Sequence, residues 1–224
     1  MSKKSFLGVR RVIGRLIKTK QERRHAMVGA SNVWKQARAF QFQFLKEQGL
    51  QKTDTFLDIG CGTLRGGIPL IDYLVTGNYY GMDVRDEVLK EGKDEIRTAK
   101  LEGKKPNLIA FNHFSEVEFD VTFNVMFAYS VLIHLEDAIA ESCFQFVSKY
   151  LAADGVFFAN VNIADYEDGT WVEFPIVFRS LEFYNTLAAK NGMKVAVLGS
   201  ILELGHNTGK KMDRQQIMLK FTKL

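Results

Sequence analysis

Cysteine, proline and long apolar segments are all scarce in this sequence. Two cysteines and three prolines occur in 224 residues. Cys61 and Cys143 show neither a metal-ligand spacing nor a disulfide framework, which argues against a metal site and against a disulfide-stapled secreted domain. No run of about 18 apolar residues is present, and the N-terminus lacks the apolar core and cleavage site of a secretory signal. We therefore expect a cytoplasmic protein without a bound metal.

The rest of the composition is typical of a globular domain with one basic end. Hydrophobic residues make up 46% of the chain, which suffices for one sizeable core at this length. Residues 1–30 contain nine Lys and Arg and one acid, Glu22, so their net charge is +8, against +4 for the whole chain. The remainder therefore carries −4. We divide the chain into a basic N-terminal arm, residues 1–30, and one domain, residues 31–224.

The arm combines its positive charge with an apolar stripe. Apolar side chains recur between the bases at near-helical spacing, namely Phe6, Val9, Val12, Ile13, Leu16 and Ile17. A basic amphipathic helix over residues 1–24 would lie on an anionic membrane surface or on a partner protein. Packing on the protein's own body is the alternative. RNA ranks lower as a partner, because a nucleic acid would contact the charges and leave the stripe unused.

Beyond the arm, segments with strand and helix patterns alternate. Apolar spacing predicts a helix at 32–48, ahead of the first strand. The predicted strands are 55–60, 78–83, 107–111, 120–130 and 155–163, and the helices between them are 64–75, 86–102 and 136–151. This alternation indicates crossover connections and therefore an α/β fold with a mostly parallel, doubly wound sheet.

The C-terminal part departs from this alternation. We expect a loop at 164–179, then a helix that Ser180 caps and that ends near Asn191. Two strand-like runs follow, 193–199 and 215–221, joined by a polar connector without a helical pattern. The two runs could pair with each other in antiparallel fashion, or the last strand could insert beside an earlier one.

The segment TFLDIGCGTLRGG, residues 55–67, joins a predicted strand to a glycine-rich turn. Gly60 and Gly62 match the first two glycines of a dinucleotide-binding fingerprint, but Arg65 stands in place of the third. Asp58 would also repel a pyrophosphate at the start of the following helix. A ligand with a positive group and a carboxylate of its own reverses this argument. Asp58 would attract the cation, while backbone N–H groups and Arg65 would face the carboxylate.

A second acid follows at the spacing that an adenosine ligand requires. Asp83 ends the second predicted strand, 21 residues after Gly62, where a carboxylate can accept hydrogen bonds from both ribose hydroxyls. Val84 then offers an apolar face to adenine. Taken singly, Asp58 could be a turn former and Asp83 a helix cap. Together with the glycines, their spacing favours an adenosine-containing cationic ligand.

With these motifs the sequence resembles the class I S-adenosylmethionine-dependent methyltransferases over residues 30–224. The most specific pieces are LDIGCG (57–62) and YYGMDV (79–84), and the resemblance extends to FNVMFAYSVLIHL (123–135) and SLEFYNTLAAKNGMKVAVLG (180–199). It implies a Rossmann-like sheet of seven strands whose last strand is antiparallel. It also implies S-adenosyl-L-methionine as the cofactor.

The resemblance further implies which residues bind the cofactor. Carried over to this chain, the set is Asp58, Gly60, Cys61, Gly62, Arg65, Asp83, Val84, Asn112, Tyr129 and Ser130. One position departs from the family pattern, because an acid that often follows the third strand and binds the adenine amine is Asn112 here. The Asn112 carbonyl could still accept that hydrogen bond.

Methyl transfer from a sulfonium demands little more of a protein than alignment of the nucleophile and exclusion of water. A hydroxyl or amine acceptor must also lose a proton, and His134, just beyond the fourth strand, is the candidate base. A histidine that only packs and bonds locally is the alternative. Candidate acceptor contacts are Tyr166 and Trp171 in the loop after the fifth strand and Trp34 in the first helix. A solvated loop and a core tryptophan are the corresponding alternatives.

The identity of the acceptor is less determined. Residues 128–131 read AYSV, whereas enzymes that methylate amino nitrogens of nucleic-acid bases often carry an N-P-P-Y-like segment there. We predict methyl transfer to an O or N nucleophile of a small-molecule or glycan-type acceptor, on the resemblance of the fold. RNA methylation guided by the basic arm and a non-catalytic cofactor-binding module are the alternatives.

Overall fold

The computed structural model describes residues 19–29 and 31–224. Nine strands occur in these residues: β1 Phe56–Ile59, β2 Tyr79–Asp83, β3 Asn107–Ala110, β4 Phe123–Ala128, β5 Leu151–Asn162, β6 Gly169–Trp171, β7 Phe174–Ile176, β8 Met193–Ser200 and β9 Gln216–Lys223. Seven of them form one sheet in the order β3-β2-β1-β4-β5-β9-β8, while β6 and β7 pair separately. Strands β1 to β5 run parallel, and β9 is antiparallel to both β5 and β8. The predicted seven-stranded sheet with an antiparallel last strand is confirmed.

Helices cover both faces of this sheet. In the described residues they are α1 Lys20–Ala26, α2 Trp34–Glu47, α3 Gly67–Tyr73, α4 Asp86–Thr98, α5 Asp137–Tyr150, α6 Leu181–Lys190 and α7 Met212–Gln215. One apolar core lies beneath α5 and α6 and includes Phe144 and Leu187. The other lies beneath α2, α3 and α4 and includes Phe44, Ile71 and Leu89. Strand β1 is buried along its whole length because helices cover it on both sides.

The helix predicted at 64–75 begins three residues later than expected. Leu64 adopts a φ of 61°, a left-handed conformation that interrupts a right-handed helix. The turn after β1 therefore continues to the start of α3 at Gly67. In contrast, the prediction for α6 is confirmed at its start, because the Ser180 hydroxyl accepts a hydrogen bond from the Phe183 backbone N–H at 3.2 Å.

The segment 164–179, expected to be a loop, contains a β-hairpin. Trp171 in β6 pairs with Phe174 in β7, and Val172 in the turn between them has a φ of 57°. Hairpin turns with such a φ usually contain glycine or asparagine, so the sequence carried no turn signal. Arg179 supports the hairpin through ion pairs of 2.7 Å with Asp168 and with Asp137 at the start of α5. The polar connector between β8 and β9 also differs from expectation, since it contains the short helix α7.

Residues 19–29, the described end of the arm, lie against the domain. Helix α1 begins with a capping box. The Thr19 N–H donates a hydrogen bond to the Glu22 carboxylate, and the Glu22 N–H donates one to the Thr19 hydroxyl. Arg24 is 6% exposed and pairs with Glu91 at 2.7 Å and with Glu95 at 2.6 Å, both on α4. The ion pairs therefore fasten this segment to α4.

The rest of the arm lies outside the described residues, and with it the predicted apolar stripe of Phe6, Val9, Val12, Ile13, Leu16 and Ile17. In the part of the chain that the structure describes, no helix is both long and apolar enough to cross a membrane.

Replacing Arg24 by alanine is expected to destabilise the protein by about 3 kcal/mol, because the buried Glu95 would lose its closest cationic partner. Chemical denaturation measures this loss, and limited proteolysis shows whether residues 19–29 detach first. Arg23→Ala is the matched control, since Arg23 is exposed on the same helix. Equal behaviour of the two variants would contradict the anchoring role of Arg24.

Candidate functional site

The carboxyl ends of β1, β2 and β4 open into a cavity of about 990 Å³. Ligand sites in open α/β sheets lie at this edge of the sheet. Three further segments contribute to the walls: residues 27–29 after α1, the hairpin of β6 and β7, and the connector from Ile201 to Gln216. The volume is at the upper end of that found for small-molecule sites, so a cofactor and a small second ligand can be accommodated together.

All ten residues predicted to bind the cofactor line this cavity: Asp58, Gly60, Cys61, Gly62, Arg65, Asp83, Val84, Asn112, Tyr129 and Ser130. They converge because each lies at or just beyond the carboxyl end of a parallel strand, and these ends meet at one edge of the sheet. The glycines are required for space as well as conformation. Gly62 has a φ of +56°, and a Cβ atom there would lie 2.6 Å from Cγ1 of Val28, so the turn can approach the N-terminal segment closely only without a side chain.

Two backbone N–H groups hold Asp83 in place, one from the glycine-rich turn after β1 and one from the loop after β2. Asp83 is 4% exposed. Its Oδ2 accepts a hydrogen bond from the Gly62 N–H at 2.9 Å, and its Oδ1 accepts one from the Arg85 N–H at 2.9 Å. A carboxylate offers about four lone pairs, so both oxygens keep capacity for further donors. This arrangement orients the carboxylate and leaves lone pairs on both oxygens that can accept hydrogen bonds from a ligand.

Asp58 lies deeper in the same cavity and is 5% exposed. The Tyr79 hydroxyl donates a hydrogen bond to its Oδ2 at 2.7 Å. Burial raises the pKa of Asp58 to about 7; the Tyr79 hydrogen bond opposes this shift and the nearby Asp83 carboxylate adds to it. A cation bound beside Asp58 would stabilise the ionised form and lower this pKa again.

Binding of a cationic ligand is therefore expected to release a proton from Asp58. Below about pH 7 the carboxyl must first lose its proton, so affinity for S-adenosylmethionine should rise about 10-fold between about pH 6 and about pH 8 and then level off. Calorimetry in two buffers of different ionisation enthalpy counts the proton. Asp58→Asn should abolish this part of the pH dependence, and an unchanged slope in that variant would assign the titration to another group.

Arg65 lies beside Asp58 and is largely removed from solvent. Its Nη1 donates a hydrogen bond to the Val28 carbonyl at 2.9 Å, while its Nε has no hydrogen-bond partner in the described part of the chain. Burial lowers the pKa of Arg65. Arg85 makes a second link to the same segment, since its Nη1 donates to the Met27 carbonyl at 3.1 Å. The segment after α1 is thus fastened to the cavity from two sides.

His134 lines the cavity at the end of β4. Its Nδ1 lies 2.6 Å from the Pro175 carbonyl oxygen, and since a carbonyl only accepts, Nδ1 carries the proton and Nε2 has the free lone pair. Burial lowers the pKa of His134; the Pro175 carbonyl opposes this shift and the nearby Arg85 charge adds to it. The imidazole is therefore neutral near pH 7 and has the tautomer that a base acting through Nε2 needs.

The three aromatic residues predicted to contact the acceptor occupy different places. Trp171 lines the cavity and stacks on His134, with ring centroids 5.9 Å apart. Tyr166 packs against Phe178 and lies outside the cavity lining, as does Trp34. Trp34 is 3% exposed and is stacked between His25, at 3.6 Å, and the Arg38 guanidinium, at 3.9 Å. The structure thus places Trp34 in the core.

Sequence reasoning missed the contribution of the β8–β9 connector. His206, Thr208, Lys210, Met212, Asp213 and Gln216 from this region line the cavity. His206 is 5% exposed and packs against Phe40 of α2, with ring centroids 5.0 Å apart. Burial lowers the pKa of His206, although Asp213 opposes this. The connector has no periodic pattern, and only its tertiary position brings it to the site.

The order of the seven strands, the antiparallel β9 and the aspartates beside a glycine-rich turn together define the fold of the class I S-adenosylmethionine-dependent methyltransferases. Residues 57–157 match a family model described as a methyltransferase domain. This match confirms the resemblance to methyltransferases that the sequence motifs indicated.

A curated relative is similar to this chain in sequence, and two solved structures are similar to it in fold. An uncharacterized methyltransferase of Schizosaccharomyces pombe is 32% identical over 97 residues, which are 41% of this chain and 34% of the relative. The match thus spans about a third of that relative's length. The magnesium protoporphyrin IX methyltransferase of Synechocystis, crystallised with S-adenosylmethionine, has a TM-score of 0.65 at 13% identity, covering 96% of this chain and 97% of that one. The glycopeptide N-methyltransferase MtfA has a TM-score of 0.64 at 14% identity, covering 84% and 90%.

Proposed function

We propose that this protein is a methyltransferase that binds S-adenosyl-L-methionine and transfers its methyl group to an O or N nucleophile of a small-molecule or glycan-type acceptor. The observation that carries the proposal is that two buried carboxylates, Asp58 and Asp83, adjoin the same glycine-rich turn. Asp58 is buried where a cation would restore its ionised form, and Asp83 is oriented by two backbone N–H groups. A positively charged adenosine derivative fits both features, and structures of the same fold hold S-adenosylmethionine or S-adenosylhomocysteine.

The residues of this cavity fit each part of the cofactor. Asp83 would accept the ribose hydroxyls, and Val84, which is 52% exposed at the cavity rim, would cover one face of adenine. Asn112 would accept the adenine amine. Asp58 would face the positive end, and Arg65, whose Nε has no partner in the described part of the chain, would face the carboxylate. Tyr129, Ser130 and Cys61 complete the wall on the β4 side.

When bound, S-adenosylmethionine supplies an activated methyl group, whose bond to sulfur breaks with its electron pair remaining on sulfur. His134 would take the proton that a hydroxyl or amine acceptor releases, because its Nε2 is the free nitrogen of a neutral imidazole. The segment of residues 27–29 and the hairpin of β6 and β7 both line the cavity and would exclude water from the reacting atoms. The candidate base in the same cavity supports catalysis rather than cofactor binding alone.

Calorimetry with three ligands tests the proposed cofactor. S-adenosylmethionine and S-adenosylhomocysteine should bind, whereas NAD should not, because its pyrophosphate would meet the buried Asp58 carboxylate. Tight NAD binding without S-adenosylmethionine binding would overturn the proposal. Methyl transfer from labelled cofactor to fractionated cell extract then identifies the acceptor class, with small molecules, glycans and RNA separated before counting.

We further propose that the arm, residues 1–24, attaches the protein to an anionic membrane surface or a partner protein, with RNA as the lesser candidate. The support is the net charge and apolar stripe of the arm sequence. Arg24 itself contacts the domain, so the informative truncation removes residues 1–18 and keeps this anchor. Co-sedimentation of the full chain and the truncated chain with anionic liposomes, and separately with RNA, distinguishes these partners.

A further inference from the structure

Strand β5 ends in two asparagines whose hydrogen bonding differs. Asn160 and Asn162 are two residues apart, so their side chains leave the strand on the same face, and both are 0% exposed. Asn160 is paired at both ends: its Oδ1 accepts from the Ser130 N–H at 2.6 Å, and its Nδ2 donates to Gln216 Oε1 at 3.1 Å. Asn162 donates through Nδ2 to the Val177 carbonyl at 3.1 Å. Its Oδ1 has no hydrogen-bond partner in the described residues.

The free atom of Asn162 is an acceptor and not a donor. The Val177 carbonyl can only accept, so it fixes the orientation of the Asn162 amide and leaves the oxygen on the other side. Val177 is itself fixed, because its N–H donates to the Ile133 carbonyl at 2.9 Å. A buried carbonyl oxygen without a donor is unfavourable, and native structures rarely leave one so. Asn162 lines the cavity, so a ligand that brings a hydroxyl or N–H group against it would supply the missing donor.

Aromatic and aliphatic side chains form the cavity wall near Asn162. Trp171 lies nearly parallel to His134, with an interplanar angle of 26°, and to Phe174, with an angle of 25°. Ile133 and Ile176 line the same wall. Trp171 remains 41% exposed, so part of its surface is free to contact a ligand. Such a wall suits a planar ring, which can stack on it with little loss of conformational freedom.

The supply of polar partners separates the two acceptor classes proposed above. A sugar ring carries hydroxyls on several carbons, and each hydroxyl that is buried without a partner weakens binding. On this wall Asn162 offers one unpaired acceptor, and His134 offers the lone pair of Nε2. An aromatic ring with a single hydroxyl or amine matches these two atoms, whereas a sugar ring would have to reach exposed side chains such as Thr170 and Glu173 to pair its other hydroxyls.

We propose that Asn162 and Trp171 form a subsite for a planar aromatic alcohol or amine, in which Asn162 Oδ1 accepts a hydrogen bond from the hydroxyl or amine on the ring. Asn162 is a positioning residue in this scheme, and His134 remains the candidate base. An amine has a second N–H for Nε2, whereas a hydroxyl, which has one proton, must turn its O–H from Asn162 to Nε2 before the proton is transferred. That the ring is the methyl acceptor rests on the proposed function; the binding of the ring does not.

Binding of three simple probes to the full chain tests the subsite, in the presence and in the absence of S-adenosylhomocysteine. The probes are phenol, anisole, which has the same ring without a donor, and methyl α-glucoside. Phenol should bind about 10-fold more tightly than anisole, as expected for one hydrogen bond to a buried acceptor, and more tightly than the glucoside. Ligand-detected NMR suits such weak affinities.

Two variants separate the hydrogen bond from the stacking. Asn162→Leu should remove the preference for phenol over anisole, while Trp171→Ala should weaken both probes and preserve their ratio. If Asn162 is only structural, Asn162→Leu should change the affinities for phenol and anisole by the same factor and leave their ratio unaltered. Equal binding of phenol and anisole to the unaltered protein, tighter binding of the glucoside, or no binding of phenol would each overturn the proposal, even if Asn162→Leu fails to fold.

The same measurements keep the subsite apart from the proposed function. A phenol preference that depends on Asn162, in a protein that binds neither S-adenosylmethionine nor S-adenosylhomocysteine, would support the subsite and reject the methyltransferase function. Normal cofactor binding with no preference among the probes would reject the subsite alone.

Discussion

Replacing His134 by asparagine is expected to lower kcat by about 10²-fold to 10⁴-fold, the range typical of a lost general base. The affinity for S-adenosylmethionine should change little, because proton transfer matters only along the reaction. An asparagine amide can still donate to the Pro175 carbonyl as Nδ1 does now, so the variant removes the basic nitrogen and keeps the anchoring hydrogen bond. Turnover with the acceptor identified from cell extract, together with calorimetry of the cofactor, checks both quantities.

His134→Ala serves as the comparison for this experiment, since it removes the base and the anchoring hydrogen bond together. If the two variants lose the same large factor in kcat with intact cofactor affinity, the base role is supported. Full activity of His134→Asn with a defective alanine variant would instead assign His134 to holding the hairpin. Equal losses in kcat and in cofactor affinity would indicate a residue that shapes the cofactor site.

The pH profile provides an independent check of the same residue. Burial lowers the pKa of His134 below its ordinary value of 6.5, and a base acts in its neutral form. kcat should therefore rise with pH through a midpoint below about 6.5 and stay level above it. The His134→Asn variant should lack this rise.

Replacing Asp83 by alanine is expected to weaken S-adenosylmethionine and S-adenosylhomocysteine alike, by about 100-fold or more. The two ligands share the ribose, and hydrogen bonds to a charged group contribute about 1.5–3 kcal/mol each. The variant also leaves the N–H groups of Gly62 and Arg85 without their acceptor, so the turn itself loses support. Calorimetry with both ligands measures the loss.

Asp86→Ala is the matched control for Asp83. Asp86 is three residues further along the chain, but it is exposed and pairs with Lys90 on the surface of α4. Its removal should leave both affinities unchanged. A loss that affects S-adenosylmethionine much more than S-adenosylhomocysteine in Asp83→Ala would contradict the ribose role, because the two ligands differ at sulfur and not at the ribose.

Most of the sheet, and the gathering of the proposed cofactor residues in one cavity, could be predicted because local signals decide them. Each strand of the parallel part shows a short apolar run, and the segments before and after Gly60 and Gly62 have a recognisable spacing. Topology then places the ends of such strands at one edge. Whether the Trp34 and Tyr166 side chains line the cavity could not be predicted in this way. An aromatic side chain in a helix or loop turns toward a cavity or away from it according to its neighbours, here His25 and Phe178.

The sequence by itself determined the chain order of the strands of the seven-stranded sheet and of the longer helices, the glycine-rich turn and the two aspartates that favour a cationic adenosine ligand, because these depend on periodicity, backbone conformation and charge within short segments. Only the tertiary structure decided which segments close the cavity. Residues 27–29, the hairpin of β6 and β7 and the β8–β9 connector meet there from distant parts of the chain. The raised pKa of Asp58 and the unpaired oxygen of Asn162 also arise only on folding, since burial is a property of the whole packed chain and not of any one stretch of it.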